Sequence, residues 1–201
     1  VESNFIKWLS DKGKSVKRVN ALTKIEYLKQ VCVESKLKFC VEWIEDYLEQ
    51  NEAVVIFCVH KKVVSALREK LKKHGVSVVD GSTKDRDKEV YNFMQGENSV
   101  FIGNIQAAGT GLTLTKAHAT VFVELAWTSG EHDQCEDRVN RIGQESDKIE
   151  AYYLVAEDTI EEKIAELLDS KRRMIDGIVD GVETDESDLL TELMKMYRLD
   201  K

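Results

Sequence analysis

The sequence predicts a three-layer α/β fold in which a mostly parallel sheet is covered on both faces by helices. Short apolar runs of strand length alternate with longer amphipathic segments, and each run is apolar at consecutive rather than alternate positions. Alternating strands and helices indicate crossover connections between parallel strands, and continuous apolar strands indicate a sheet buried on both sides. The 201-residue length suits one such domain with helical extensions at both ends.

The strands are predicted where β-branched and aromatic residues cluster, and the helices where apolar residues recur every three or four positions. The predicted strands are 53–58, 76–79, 99–102, 119–125 and 150–155. The predicted helices are about 36–50, 61–74, 85–95, 130–142, 159–176 and 187–197. We therefore expect a basic helical linker or protrusion over 1–35, an α/β lobe over 36–176 and an acidic helical tail over 177–201.

The net charge of −8 is unevenly distributed along the chain. Residues 1–32 carry seven Lys/Arg against three Asp/Glu, whereas residues 157–201 carry seven against fourteen. An acidic total argues against a surface coated with nucleic acid but permits one basic face. No apolar run is long enough to cross a bilayer and no secretory signal is present. We expect no membrane partner, and a location in the cytoplasm of a microbe or phage-infected cell, or in the nucleus of a eukaryote.

The four cysteines, at positions 32, 40, 58 and 135, form no C-x-x-C pair. His132 and Cys135 are three residues apart, but no second pair of ligands accompanies them. A zinc or redox site needs such a second pair or a C-x-x-C motif. We expect no metal ion and four free, buried thiols.

A complete ATP site would need a phosphate-binding loop of the form G-x-x-x-x-G-K-[ST] after a strand. Gly13-Lys14-Ser15 supplies its last three letters, but Trp8 occupies the place of the first glycine. Glu124 ends an apolar strand where a magnesium-binding carboxylate could lie, but without a phosphate loop a structural role is favoured. The isolated chain is therefore predicted to be inactive as an ATPase, and a start at Val1 predicts a fragment of a longer chain.

The most informative segment is WTSGEHDQCEDRVNRIGQ at 127–144. Thr128 and Glu131 have the spacing of a capping box, which predicts a helix from about Ser129, and Gly143 is a typical stop signal.

At about 100° per residue, Gln134, Arg138 and Arg141 fall on one face of such a helix, with Asp137 beside them. A guanidinium is planar, permanently charged and able to bind phosphate through two hydrogen bonds. The alternative interpretation is a surface helix with an ordinary Asp137–Arg141 ion pair.

The segment QCEDRVNRIGQ at 134–144 resembles the sixth helicase motif of the Swi/Snf-type DNA-dependent ATPases of superfamily 2. Residues 103–130 resemble their fifth motif, 80–96 and 54–67 resemble the segments before it, and 148–171 resembles the closing strand and helix. The resemblance covers about 36–175 in the right order, and its E-L-x-W form is most similar to the annealing-helicase (HepA-related) branch or a phage or microbial relative. It implies a RecA-like fold and the second lobe of a DNA translocase or helicase.

The resemblance also implies roles for individual residues. Arg138 and Arg141 would be arginine fingers, with Gln134 as a phosphate-side contact. The residues implied on the ATP side are Gly109, Gly111 and Asp137. Those implied on the DNA side are His60, Lys61, Gly81, Ser82, Thr83, Thr110 and Trp127.

The implied partners are duplex or branched DNA, bound without sequence preference, and the first RecA-like lobe of the same polypeptide. ATP and Mg²⁺ would be held mainly by that first lobe, with no cofactor expected in this chain alone. The isolated lobe is expected to be monomeric.

Two departures separate the chain from the family pattern. Trp127-Thr128-Ser129 stands where the family usually has W-N-P, and Gly111-Leu112-Thr113-Leu114 where many members have G-L-N-L. Both weaken an assignment to the chromatin-remodelling branch. The alternative function is a non-catalytic RecA-like module that binds DNA or docks a protein. The basic run Lys171-Arg172-Arg173 is interpreted as a solvated helix end.

Overall fold

The computed structural model describes residues 16–108, 111–177 and 191–194. The helices are α1 Val16–Gln50, α2 Lys61–Leu71, α3 Arg86–Met94, α4 Ile105–Ala108, α5 Ser129–Glu136 and α6 Ile160–Gly177. The strands are β1 Val54–Cys58, β2 Val76–Val79, β3 Val100–Asn104, β4 Ala119–Phe122 and β5 Glu150–Tyr153. They form one sheet in the order β2-β3-β1-β4-β5 with every neighbouring pair parallel. The predicted α/β fold is confirmed.

The sheet is buried on both faces, as the continuous apolar strands predict. In β1, Val55 and Phe57 belong to the core on one face, which is covered by Phe93 of α3 and Cys135 of α5. The opposite face of the sheet packs against α1 and α2. Both side-chain directions of a strand can be apolar only when helices lie on both sides of the sheet.

Helix α1 begins at Val16, well before the predicted start at about residue 36, so the predicted boundary at 35/36 falls inside it. Its first half packs through Leu22 and Ile25 into a third apolar cluster, which includes Ile164 and Leu168 of α6. The helix predicted over 187–197 lies mostly outside the described residues, of which 191–194 are helical.

Two buried lysines of α1 bind residues of α6 and of the segments that follow β4 and β5. Lys36 forms an ion pair with Glu161 of α6, with 2.6 Å between Nζ and Oε2, and donates a hydrogen bond of 2.5 Å to the Leu154 carbonyl. Lys29, only 2 % exposed, donates to the carbonyl of Leu125 at 3.1 Å. Buried charges persist only when they are paired in this way. Over the described residues, no helix is both long and apolar enough to cross a bilayer.

Candidate functional site

The loops that follow β1, β2, β3 and β4 meet at one edge of the sheet, because parallel strands all end on the same side. Side chains tie these loops together. Asn104, at the end of β3, donates to the carbonyl of Val59 after β1 at 2.5 Å. Arg86, at the start of α3, donates to the carbonyl of Ala107 at 3.3 Å. We refer to the surface formed by the loops after β1, β2, β3 and β4, at the carboxyl ends of the strands, as the loop edge. Most of the predicted contact residues lie on it.

The turn after β2 contains the predicted contacts Gly81, Ser82 and Thr83. Asp80 organises it, because its Oδ1 accepts hydrogen bonds from the Ser82 amide at 2.7 Å and the Ser82 hydroxyl at 2.6 Å. The Ser82 hydroxyl is the main cause that holds the pKa of Asp80 below its ordinary value, and the charge of Lys61 contributes. Gly81, Ser82 and Lys61 are exposed, whereas Thr83 is half-buried.

The loop after β1 is bound to a buried carboxylate. Glu124, which is 1 % exposed, accepts hydrogen bonds from the amides of Val59 and His60, both at 2.8 Å. Its other oxygen lies 2.5 Å from His60 Nδ1. A carboxylate that is buried and triply hydrogen-bonded is a structural element of the loop, as the sequence predicts for Glu124.

The same histidine also faces helix α1. His60 Nε2 lies 3.4 Å from Glu26 Oε2, and the Trp127 indole donates to Glu26 Oε1 at 2.9 Å. The ammonium of Lys29 lies 3.7 Å from Glu26 and 4.5 Å from the centroid of the Trp127 ring. We refer to Glu26, Lys29, His60, Glu124 and Trp127 as the carboxylate network.

Within the carboxylate network, the pKa of His60 is raised and that of Glu26 is lowered, so both groups favour their charged forms. The hydrogen bonds to Glu124 and then to Glu26 raise the pKa of His60 to about 9. Burial opposes ionisation of Glu26, but the hydrogen bond from His60 and the charge of Lys29 together hold its pKa below the ordinary value. Both ring nitrogens of His60 and the indole N–H of Trp127 are thus engaged within the chain.

Helix α5 begins as predicted and ends earlier than predicted. The capping box between Thr128 and Glu131 is present in both directions. The helix then stops at Glu136, and residues 137–143, which we call the arginine turn, are turns and bends. The prediction of a helix to 142 is wrong because the Arg138 carbonyl accepts a hydrogen bond from the Leu114 amide at 2.8 Å, a tertiary contact that replaces the next helical one. Gly143 closes the turn with a φ of 100°.

The arginines therefore project from a turn and not from one face of a helix. Arg138 is half-buried, and its Nε donates to the carbonyl of Gln134 at 2.9 Å. Arg141 is exposed, and its Nη1 donates to the Leu112 carbonyl at 2.9 Å and to Thr113 Oγ1 at 3.2 Å. Gln134 itself is exposed.

Neither guanidinium forms an ion pair with a described residue. In the part of the chain that the structure describes, no carboxylate lies within 4.0 Å of Arg138 or Arg141. The ordinary Asp137–Arg141 ion pair, the alternative interpretation of this segment, is therefore not formed. Asp137 is exposed. Two adjacent cations without acidic partners are chemically suited to bind an anion.

The glycine loop between β3 and β4 is described in part. Gly109 and Thr110 lie outside the described residues. Gly111 is exposed and has a φ of 77°, a left-handed conformation that glycine adopts without strain. The next residues, Leu112 and Thr113, accept the hydrogen bonds of Arg141, so this loop and the arginine turn share one surface.

His132 is part of the core. Its Nε2 accepts a hydrogen bond from the Ala126 amide at 3.1 Å, and its Nδ1 lies 3.0 Å from the Thr128 carbonyl. Burial lowers the pKa of His132 to about 4, so the ring is neutral at physiological pH and Nδ1 carries the proton. Over the described residues no group of three or more His, Cys, Asp or Glu side chains could hold a metal ion.

Two groups of residues at the site were missed in the sequence. Lys29 and Glu26 belong to a helix whose inward positions include Leu22, Ile25 and Cys32. The three- and four-residue spacing that places these apolar residues inward also places Lys29 there, and this signal could have identified it. The second group is centred on Arg172, which is not a solvated helix end but forms ion pairs with Asp133 and Glu136.

The parallel five-stranded sheet with helices on both faces is the fold of a RecA-like α/β lobe. The helicase conserved C-terminal domain family matches residues 35–143. The chain belongs to this family, as the C-terminal lobe of a Swi/Snf-type superfamily 2 ATPase.

Known proteins agree with this assignment. The chain is 36% identical over 148 residues to the SWI/SNF-related matrix-associated actin-dependent regulator of chromatin subfamily A-like protein 1 of Xenopus tropicalis, a match that covers 71% of the chain and 16% of that protein. It is 25% identical over 209 residues to an uncharacterized ATP-dependent helicase of Mycoplasma pneumoniae, covering 96% of the chain and 20% of the helicase.

The crystal structure of the C-terminal part of the Fun30 ATPase domain superposes with a TM-score of 0.63 at 23% identity. That superposition covers 80% of the chain and 52% of the Fun30 chain, and it supports the fold. The chain spans about a sixth of the length of the Xenopus relative, 16%.

Proposed function

We propose that the chain is the second motor lobe of an ATP-dependent DNA translocase or helicase, and that Arg138 and Arg141 are its arginine fingers. The observation that carries the proposal is that both guanidiniums lie on one turn held by hydrogen bonds and have no acidic partner among the described residues. In the transition state of phosphoryl transfer, charge develops on the γ-phosphate, and an arginine placed there stabilises it. ATP and Mg²⁺ would be held by the first lobe, and this chain would supply positive charge across the cleft.

The positions of three exposed residues support the proposal: Gln134 precedes the arginine turn, Asp137 begins it, and Gly111 lies in the glycine loop. In this proposal Gln134 contacts the phosphate side of the nucleotide, while Gly109 and Gly111 bring backbone N–H groups toward it. Such loops can bind phosphate through main-chain donors.

The proposed DNA surface is the loop edge, bound through phosphate contacts that carry no sequence information. Its best-supported members are Lys61, Gly81 and Ser82, which are exposed at that edge. Thr83 belongs to the same turn as Gly81 and Ser82, and Thr110 belongs to the glycine loop. His60 and Trp127 would act on DNA indirectly, since their polar atoms bind Glu124 and Glu26.

The test is DNA-stimulated ATP hydrolysis by the full-length protein with Arg141→Ala. We expect turnover to fall by about 10³-fold or more, because an arginine finger contributes on that order. ATP affinity should stay within several-fold, since the first lobe holds the nucleotide. Arg68→Ala, which removes an exposed arginine of α2 remote from the arginine turn in sequence, is the control and should leave turnover unchanged. Full turnover by Arg141→Ala would contradict the proposal.

A further inference from the structure

Three elements meet at the carboxyl end of α5. Arg172 of α6 forms an ion pair with Asp133 and a second one with Glu136, with 3.2 Å between Nη2 and Glu136 Oε1. The hydroxyl of Tyr153, at the end of β5, donates to the same Glu136 oxygen at 2.6 Å. The carboxylate of Glu136 is thus held from the sheet and from α6, while its backbone belongs to α5.

Glu136 is also where the arginine turn begins. It is the last residue of α5, and its carbonyl accepts hydrogen bonds from the amides of Val139 and Asn140, both at 3.0 Å. These two amides belong to consecutive residues of the turn, which lie between Arg138 and Arg141 in the sequence. The side chain of Glu136 is therefore fixed by Arg172 and Tyr153, and its main chain fixes the turn.

Arg172 also removes a repulsion. Asp133 and Glu136 are three residues apart on α5, so their carboxylates are neighbours on one helix face. Like charges at this spacing destabilise a helix end, and the guanidinium compensates both carboxylates because its Nη2 contacts each of them. Without Arg172, the last turn of α5 would carry two adjacent, uncompensated carboxylates.

The neighbouring residue supplies a matched comparison. Arg173 pairs with Asp169 of its own helix, four residues away, and its side chain is 77% exposed. It makes no described ion pair with α5 or the sheet. The two arginines are adjacent and chemically identical, and they differ in whether they connect α6 to the arginine turn.

We propose that Arg172 is a positioning residue for ATP hydrolysis, acting through Glu136 to hold the arginine turn and thereby making turnover depend on the docking of α6. The proposal rests on the proposed function, since it assigns Arg172 to the support of Arg138 and Arg141. Arg172 does not touch ATP and acts only on the geometry of the groups that do.

The experiment measures kcat and KM for ATP of the full-length protein, with DNA present, for Arg172→Gln and Arg173→Gln. We expect Arg172→Gln to lower kcat by about tenfold to a hundredfold, the range expected when a reacting group is displaced by about 1 Å. KM for ATP should change less than about twofold, because uniform binding by the first lobe is untouched. Arg173→Gln should leave both constants unchanged. A role confined to stability would not produce this split between kcat and KM.

Two further variants address the geometry directly. Arg172→Lys should recover part of the lost kcat, because an ammonium keeps the positive charge near the two carboxylates but lacks the planar geometry of the guanidinium. In a double-mutant cycle, Arg172→Gln combined with Glu136→Gln should be no worse than the more impaired single variant, as expected for two residues that act through one contact.

The outcomes separate this inference from the proposed function. If Arg141→Ala abolishes turnover and Arg172→Gln matches Arg173→Gln, the positioning role is overturned and the motor function stands. If Arg141→Ala keeps full turnover, the proposed function fails first. Should Arg172→Gln not fold, Tyr153→Phe decides: it removes one hydroxyl and keeps the ring stacked on Phe122 at 4.7 Å. A severalfold loss of kcat in Tyr153→Phe supports the proposal, and an unchanged kcat overturns it.

Discussion

The carboxylate network and the arginine turn both contain charged residues near the loop edge, but these residues differ in their burial and in their pairing with opposite charges. In the network, Glu124 is 1 % exposed and His60 lies between two carboxylates. In the turn, Arg141 is exposed and its described partners are a backbone carbonyl and a hydroxyl. Burial requires that charges be compensated inside the protein, whereas exposed cations remain available to a ligand.

The comparison teaches that position at the edge of a sheet does not by itself identify a ligand contact. Lys61 follows His60 in the sequence, and His60 and Trp127 both contact Glu26. The polar atoms of His60 and Trp127, however, are bound by carboxylates of the chain itself. Lys61 is exposed. Residues of the network are therefore expected to determine stability, and residues of the turn to determine activity.

Removing the centre of the network should have the largest effect on stability. Glu124→Ala leaves the His60 ring and two backbone amides, all partly buried, without their acceptor. We expect the free energy of unfolding of the 201-residue chain to fall by about 3–5 kcal/mol, as when one partner of a buried pair is removed. Urea unfolding measures the change. Glu145→Ala, at an exposed position, is the control and should change it by less than about 0.5 kcal/mol. Equal effects of the two variants would refute a structural role for the network.

Titration of His60 should give the next largest effect. Its pKa is raised from 6.5 to about 9 in the folded protein, so between these values the folded state binds more protons than the unfolded state. The stabilisation is fully present below about pH 6.5 and is lost as the pH rises through about 9. We expect a loss on the order of 2 kcal/mol across this window. Urea unfolding at both ends of the window measures the loss for the natural sequence and for His60→Gln. The His60→Gln variant should lack this pH-dependent loss. An identical change of the unfolding free energy with pH in both proteins would show that His60 is not held between the carboxylates.

The arginine turn should respond least in stability. Arg138→Ala removes one hydrogen bond to the Gln134 carbonyl and no ion pair with a described residue. We expect the free energy of unfolding to change by about 0.5 kcal/mol or less. A loss above about 2 kcal/mol in urea unfolding would mean that the guanidinium supports the fold, and would remove the contrast between the two regions.

Much of the fold could be predicted from the sequence because the three central strands, β1, β3 and β4, are fully buried. Strand β2 has the predicted bounds, and β1 differs by one residue. Strand β4 is shorter than predicted, ending at Phe122, although residues 123–125 are also buried. A run of apolar residues in the sequence indicates that the segment is buried. The residue at which a strand ends depends instead on backbone hydrogen bonding to the neighbouring strand. Helix α1 begins earlier than the helix predicted over 36–50, and Lys29 in its first half occupies an inward position that apolar residues usually fill.

The candidate site was less predictable because it depends on tertiary contacts. The capping box that starts α5 is local and was predicted from Thr128 and Glu131. The end of α5 is set by a hydrogen bond between Leu114 and Arg138, which are remote in sequence. Helical periodicity cannot report such a contact, since Cys135 and Val139 are buried in the helix and in the turn alike. For the same reason the sequence gives no sign that Arg172 faces α5.

The four cysteines make the chain suited to site-specific labelling. All four thiols are free and buried, and burial raises the pKa of Cys40 to about 11 and that of Cys135 to about 12. Because thiolates are the reactive species, these native sulfurs should react slowly with maleimide dyes. A single reporter introduced by Asn140→Cys, at an exposed position of the arginine turn, would then carry the fluorophore without prior removal of natural cysteines. Approach of a second lobe to this surface could be followed in real time through the dye.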